Sequence, residues 1–107
     1  GEGAARRIRA VVEKPRPAEA PSTLAIVGRY ILSPRIFDLL EATTPGAGGE
    51  IQLTDAIQAL IAEAPVYAHR FAGRRFDCGQ RRGVVEATIA MALEDPELAP
   101  VVRAMLR

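Results

Sequence analysis

Glu13 and Lys14 stand side by side immediately before Pro15. A carboxylate accepts hydrogen bonds from two sugar hydroxyls, and an adjacent ammonium neutralises a phosphate, so this pair suits a phosphorylated sugar. Neighbouring side chains on a strand point to opposite faces, but at a strand end the turn into proline can bring both to one cleft. A polar strand edge ahead of a loop fits the same three residues. A second group is Phe76-Asp77-Cys78-Gly79. Mg2+ favours one or two carboxylates plus substrate phosphates, which makes Asp77 a candidate metal ligand. Gly79 permits a sharp turn there. Asp77 is an equally good cap or anchor for the helix that follows.

The third group runs from Gly46 to Asp55 and reads Gly-Ala-Gly-Gly-Glu-Ile-Gln-Leu-Thr-Asp. A glycine-rich loop before a helix can hold an anion at the helix N-terminus. No Gly-Lys-Ser/Thr follows, so this is not a P-loop, and a plain connector between helices is the better local reading. Cys78 is the single cysteine and has no metal-spaced partner, which argues against a thiolate ligand or a nucleophile. His69, the single histidine, has no Ser or Asp partner in its surroundings and reads as a surface residue. Arg70, Arg74, Arg75, Arg81 and Arg82 could line a phosphate-rich cleft, but a solvated face accounts for most of them. The apolar stripe of residues 98–106 could bind a partner, although core packing is its ordinary use.

The elements that must position these groups follow from patterning. Residues 6–13 are short, β-branched toward their end and stopped by Pro15, which predicts a strand. Residues 14–22 hold Pro15, Pro17 and Pro21 and form a loop. Residues 23–32 contain Leu24, Ile26, Val27, Tyr30, Ile31 and Leu32, the pattern of a mostly buried strand, with Gly28 marking a bulge or a close approach. Ser33-Pro34 predicts a helix with a hydroxyl cap and proline at its first position, its face formed by Ile36, Phe37 and Leu40. A second helix is expected over residues 53–64, carrying Leu53, Ile57, Leu60 and Ile61 on one side and ended by Pro65. Residues 66–71 and 74–77 read as two short strands of a hairpin around Gly73. Residues 80–93 read as a helix with a stripe of Val85, Thr88, Ile89 and Ala92. Asp95-Pro96 starts a last helix with Leu98, Val101, Val102, Met105 and Leu106 as its apolar side. Strands and helices in this mixture are α/β or α+β, with few strands for a self-contained sheet.

Bulk properties narrow the function class. The 107 residues amount to one domain or part of one, and about half are apolar. Fourteen basic and thirteen acidic residues leave a net charge of +1, which gives no broad electrostatic reason to expect nucleic acid or an anionic membrane. No stretch approaches the roughly 20 apolar residues that span a bilayer. Residues 1–5 lack an apolar run after a charged start, so no signal peptide is expected. The lone cysteine fits a reducing cytosol, and a cytoplasmic location is expected. The start without Met, almost directly in a strand pattern, reads as a cut or processed chain.

The motifs in their order carry more than each does alone. Val11-Val12-Glu13-Lys14-Pro15, then Leu24-Ala25-Ile26-Val27-Gly28-Arg29-Tyr30-Ile31-Leu32, then the block from Gly46 to Ile57, then Asp77-Cys78-Gly79, resemble the bacterial UTP–glucose-1-phosphate uridylyltransferases. The resemblance covers residues 6–106, and Gly-Glu-Ile-Gln-Leu-Thr-Asp with Asp-Cys-Gly is its most specific part. It implies an α/β fold: the C-terminal portion of a Rossmann-like nucleotide-diphospho-sugar transferase, a mixed sheet with flanking helices. It implies that residues 1–107 are the sugar-phosphate-binding part of the domain, without the N-terminal nucleotide-binding half. The implied reaction joins UTP and glucose 1-phosphate into UDP-glucose and pyrophosphate with Mg2+. Glu13 then holds glucose hydroxyls, Lys14 contacts the sugar phosphate as the catalytic residue, backbone at Ile26, Val27 and Gly28 faces the sugar, and Asp77 is a metal-site carboxylate. The expected partners are a sugar phosphate and a nucleotide, with no nucleic acid or membrane, and a homo-oligomer for the full enzyme.

The chain departs from the family pattern after Asp-Cys-Gly. The family has a lysine, a leucine, a glycine and an aromatic, whereas here the run is Gln80-Arg81-Arg82-Gly83-Val84. Arg81 keeps the charge, while Arg82 and Val84 alter local packing. The family's glycine-rich nucleotide loop and first metal aspartate do not occur in the 107 residues, so these residues alone are expected to be inactive. Two other readings fit. One is another hexose-1-phosphate nucleotidyltransferase, such as a thymidylyltransferase. The other is a stand-alone α+β interaction or oligomerisation module.

Overall fold

The computed structural model describes residues 4–107. Residues 1–3, part of the segment on which the signal-peptide reading rests, lie outside the described residues. The chain forms two compact units, the first ending at Phe71 and the second beginning at Ala72.

The first unit is built on two helices, α1 (Arg35–Ala42) and α2 (Leu53–Glu63). Apolar residues three and four apart on α2 put Ala56, Ile57 and Leu60 on one buried stripe. Ile36 and Leu39 of α1 meet that stripe, and Val11 completes the core. Ala56 is 0% exposed, so its methyl group is the largest side chain that position accepts without displacing neighbours. Beside the helices, strands β1 (Ala5–Arg7) and β2 (Tyr67–His69) pair antiparallel, with Ala5 opposite His69 and Arg7 opposite Tyr67. The Ile8 N–H donates to the Val66 carbonyl at 2.9 Å and continues the contact.

The second unit holds α3 (Arg81–Glu94) and α4 (Ala99–Met105). Between them, Asp95 Oδ1 accepts from the Glu97 and Leu98 N–H groups at 2.8 and 3.1 Å and closes the turn that leads into α4, whose cap residue is Leu98 and not the expected Asp95. Thr88, Ile89 and Ala92 of the expected α3 stripe line a groove with Val102, Met105 and Leu106, whereas Val85 is exposed. No helix among the described residues is long and apolar enough to cross a membrane.

The helices stand close to where patterning puts them, and the strands differ. The strand expected over residues 6–13 covers only Arg6 and Arg7 of that span, because pairing with β2 ends there and Val11 turns into the core. Residues 23–32 form no strand, and most of the run expected to be buried is open to solvent, with Leu24 at 74% and Ile31 at 101% exposure, while Leu32 packs against the core. A strand exists only where a neighbour takes its backbone hydrogen bonds, and apolar composition alone supplies none. The hairpin of residues 66–71 with 74–77 is absent for the same reason: β2 pairs with β1, and residues 74–77 stay irregular. In α1 the cap residue is Pro34 and Ser33 makes no side-chain cap bond. Leu39, not Phe37, faces the core, and Phe37 is 70% exposed. The mixture of α-helices and strands is the α/β composition expected, its sheet among the described residues being one two-stranded ladder.

An ion pair joins α1 to the end of α2. Arg35 Nε and Nη2 donate to Glu63 Oε2 and Oε1, both at 2.9 Å, and Nη1 reaches Asp38 at 3.2 Å. The Arg35 guanidinium holds the Glu63 carboxyl below its ordinary value, chiefly through these hydrogen bonds. A lowered folded-state value means stability that is present above the unfolded carboxylate range, near pH 4.3, and lost as pH falls through the lowered value. Both side chains are half exposed, so the effect is small. Glu63→Gln is therefore expected to lower the unfolding midpoint slightly at neutral pH and to converge on the wild type only as pH falls below the lowered Glu63 value, read from thermal unfolding across pH. Leu60→Ala, at a residue 4% exposed, is expected to cost about 2–5 kcal/mol in chemical denaturation at every pH.

Candidate functional site

The glycine-rich segment closes onto the start of α2. A 3-10 turn over Ala47–Gly49 is fixed by the Gly46 N–H on the Glu50 carbonyl and the Gly49 N–H on the Gly46 carbonyl, each at 2.9 Å. Gly48 and Gly49 lie at φ 73° and 74°, where a side chain is strained, so glycine is required at both. Gln52 Nε2 donates to the Ala47 carbonyl at 3.0 Å and pins the turn to the helix. This is the compact connector that the sequence favoured over an anion cradle.

The connector sets the first turn of α2, and that turn reaches Glu13. Thr54 Oγ1 donates to Glu13 Oε2 across 41 residues of sequence. One turn further along α2, Gln58 Oε1 accepts from the Val11 N–H at 2.8 Å. Residues 11–13 are thus laid along the helix at two points. The chain then turns at Lys14, whose φ of 41° lies in the left-handed region that non-glycine residues seldom adopt. The turn brings the two side chains to one side, with Lys14 Nζ 3.9 Å from Glu13 Oε1. The Glu13 side chain is 23% exposed and that of Lys14 is 85% exposed. The carboxylate is therefore held while the ammonium extends into solvent.

The other expected site residues are placed differently. Ile26 and Val27 lie in the irregular segment and are 51% and 41% exposed. Gly28 sits at φ 77°, and a Cβ there would make only ordinary contact with the Tyr30 ring at 3.6 Å. Gly28 is required by backbone conformation, not by a bulge in a paired strand. Asp77 belongs to the second unit. Its Oδ1 accepts from the Gly79 N–H at 3.2 Å and its Oδ2 from Gln80 Nε2 at 3.4 Å. The Asp77 carbonyl also accepts from the Gln80 N–H at 3.2 Å. Asp77 thus closes the turn ahead of α3, whose cap residue is Gln80. Among the described residues no three or more His, Cys, Asp or Glu side chains gather as a metal site.

Buried Gly83, in the first turn of α3, is where the helix meets that turn: a Cβ there would run into the Asp77 backbone carbonyl. Arg82 pairs with Glu86 at 2.6 Å, which raises the guanidinium's affinity for its proton and marks this part of the arginine cluster as a solvated face. His69 is exposed, as expected of a surface residue. Residue type alone gives no positioning role to Thr54, Gln58 or Gly83. A threonine in the first turn of α2, within the block that travels with Glu-Lys-Pro, is the one available signal.

The chain belongs to the nucleotidyl transferase family, whose model matches residues 1–94. Among curated relatives, a UTP–glucose-1-phosphate uridylyltransferase of Staphylococcus epidermidis is 49% identical over 106 residues, 99% of this chain and 37% of the relative. That of Pseudomonas aeruginosa is 58% identical over 82 residues, 77% of this chain and 29% of the relative. The UTP-bound enzyme of the same type from Acinetobacter baumannii superposes with a TM-score of 0.83 at 40% identity, covering 99% of this chain and 35% of that one. A UDP-glucose pyrophosphorylase complexed with UDP-glucose superposes at 0.80 with 43% identity, covering 85% of this chain and 35% of that one. The fold is therefore that of these nucleotidyltransferases, and the chain spans about a third of the length of the relatives it matches.

The close fit of Gly83 gives a graded expectation. Gly83→Ala forces backbone to move and is expected to cost about 1–3 kcal/mol. Gly79→Ala meets only Asp77 Oδ1 at 3.2 Å, a side-chain atom that can yield, and is expected to cost less. Denaturation of the full-length variants checks the order, and equal losses would sink the account.

Proposed function

We propose that this chain is the sugar-phosphate-binding part of an enzyme that forms UDP-glucose and pyrophosphate from UTP and glucose 1-phosphate. The observation that carries the reading is the held Glu13 carboxylate with Lys14 beside it on one side of a left-handed turn. Relatives named for this reaction, and similar structures bound to UTP and to UDP-glucose, support it.

In this reading Glu13 accepts hydrogen bonds from glucose hydroxyls, and the Lys14 ammonium neutralises the sugar phosphate. Backbone at Ile26, Val27 and Gly28 faces the sugar. A phosphate oxygen of glucose 1-phosphate attacks the α-phosphorus of UTP. The bond from that phosphorus to the β-phosphate bridging oxygen breaks, and its electron pair leaves with pyrophosphate. Such transfers depend on positioning and charge neutralisation, which an anchored carboxylate and a free ammonium supply. Mg2+, when bound, would neutralise phosphate charge, and Asp77 would be the residue of this chain to offer it a carboxylate. The nucleotide is held mainly by parts of the domain outside these residues, against which the exposed apolar segment around Leu24, Ile26 and Ile31 packs. The full enzyme is cytoplasmic and homo-oligomeric in this reading.

Removing a charge that neutralises phosphate is expected to lower kcat/KM by about 100-fold or more, so Lys14→Ala in the full-length enzyme should show that loss in a pyrophosphate-release assay. Activity within about threefold of the wild type would exclude Lys14 from the reaction. Running the same assay with UTP and with dTTP separates a uridylyltransferase from a thymidylyltransferase. The 107-residue chain alone is expected to release no pyrophosphate, and turnover by it would refute the division of labour proposed.

A further inference from the structure

We propose that Thr54 is a positioning residue that sets the orientation of the Glu13 carboxylate and thereby the affinity for the sugar phosphate. The proposal rests on the reading of Glu13 as the sugar-binding group. Thr54 lies in the first turn of α2, where a hydroxyl commonly turns back to cap its own helix. Here it does not: α2 has no side-chain cap bond, and the Thr54 hydroxyl is given to Glu13 Oε2. The β-branched side chain has few rotamers in a helix, so the hydroxyl's direction is set by the helix backbone. The carboxylate also lies at the helix end whose dipole favours negative charge.

The geometry divides the work between the two carboxylate oxygens. Oε2 is tied to Thr54, and Oε1 is left toward Lys14 at 3.9 Å, with lone pairs available to a ligand hydroxyl. Glu13 is three-quarters buried, so without Thr54 its carboxylate would lose a donor in a place where water replaces it poorly. The neighbouring tether, Gln58 to the Val11 N–H, holds the backbone and does not touch the Glu13 side chain. Removing the Thr54 hydroxyl therefore frees the carboxylate to rotate while leaving the segment in place.

The test uses the full-length enzyme with Thr54→Val, which keeps the shape and removes the hydroxyl, and Thr54→Ser, which keeps the hydroxyl. A lost hydrogen bond to a charged group predicts a KM for glucose 1-phosphate raised about tenfold or more in Thr54→Val, with kcat and the KM for UTP within about threefold of wild type. Thr54→Ser is expected to restore the wild-type KM. In a Glu13→Gln background the Thr54→Val effect should shrink, because the pair acts as one unit. Equal KM values for the valine and serine variants, or a fall in kcat accompanied by both KM values and a lower unfolding midpoint, would overturn the proposal and leave the functional reading intact. If Thr54→Val does not fold, Thr54→Ala against Thr54→Ser decides in the same way. No pyrophosphate release by the wild type from UTP and glucose 1-phosphate would overturn the functional reading and this proposal with it.

Discussion

Helix α2 must serve two neighbours at once, and the first unit depends on how it does so. Its buried stripe of Ala56, Ile57 and Leu60 packs with α1, while Thr54 and Gln58, one turn apart, reach toward residues 11–13. Because a helix is rigid over 11 residues, fixing the stripe in the core also fixes where those two side chains emerge. Val11 couples the two sides. Its side chain is part of the core and its N–H is bound to Gln58, so the segment leading to Glu13 is held by packing and by a hydrogen bond together. Packing supplies most of the free energy, and the hydrogen bonds supply direction.

Exposed interactions act mainly on register. The Arg35–Glu63 pair is bidentate but half exposed, so it adds little stability while specifying how the ends of α1 and α2 align. The pinned connector of Ala47–Gly49 does the same for the start of α2. In the second unit, the register between the Asp77 turn and α3 is set by the absence of a side chain at Gly83. Glu13 and Asp77 are thus placed by neighbours outside the candidate site.

Helices were legible in the sequence because their signal is local: the spacing of Ile57 and Leu60, Pro65 beyond the end of α2, and Asp95-Pro96 ahead of α4 all act within a few residues. Strands were not, because β1 and β2 are 64 residues apart in the pair Ala5 and His69. Nothing near residues 66–71 says that their partner is the other end of the unit instead of residues 74–77. The run from Leu24 to Leu32 shows the same limit, since apolar character specifies a wish for cover and not the identity of what provides it. Glu13, Lys14 and Asp77 were legible as residue types in motifs. Thr54 was not, because its hydroxyl could equally have capped its own helix, and only the fold shows the donor turned to Glu13.

The contrast between Glu13 and Lys14 bears on what the pair can do. A salt bridge at 3.9 Å with an 85% exposed ammonium is weak, screened by salt and costly in side-chain entropy to maintain. A strong ion pair would hold the ammonium against Glu13 and oppose its transfer to a phosphate. The left-handed turn at Lys14 avoids this: it directs both side chains to one side but leaves them too loosely paired to satisfy each other. Holding a non-glycine residue in that conformation costs about 1–2 kcal/mol, and such strain persists where surrounding structure over-determines it. Here the surrounding structure is the double tether of residues 11–13 to α2. Under the proposed function, a fixed carboxylate would orient the sugar ring and a free ammonium would meet the phosphate, which mainly requires charge.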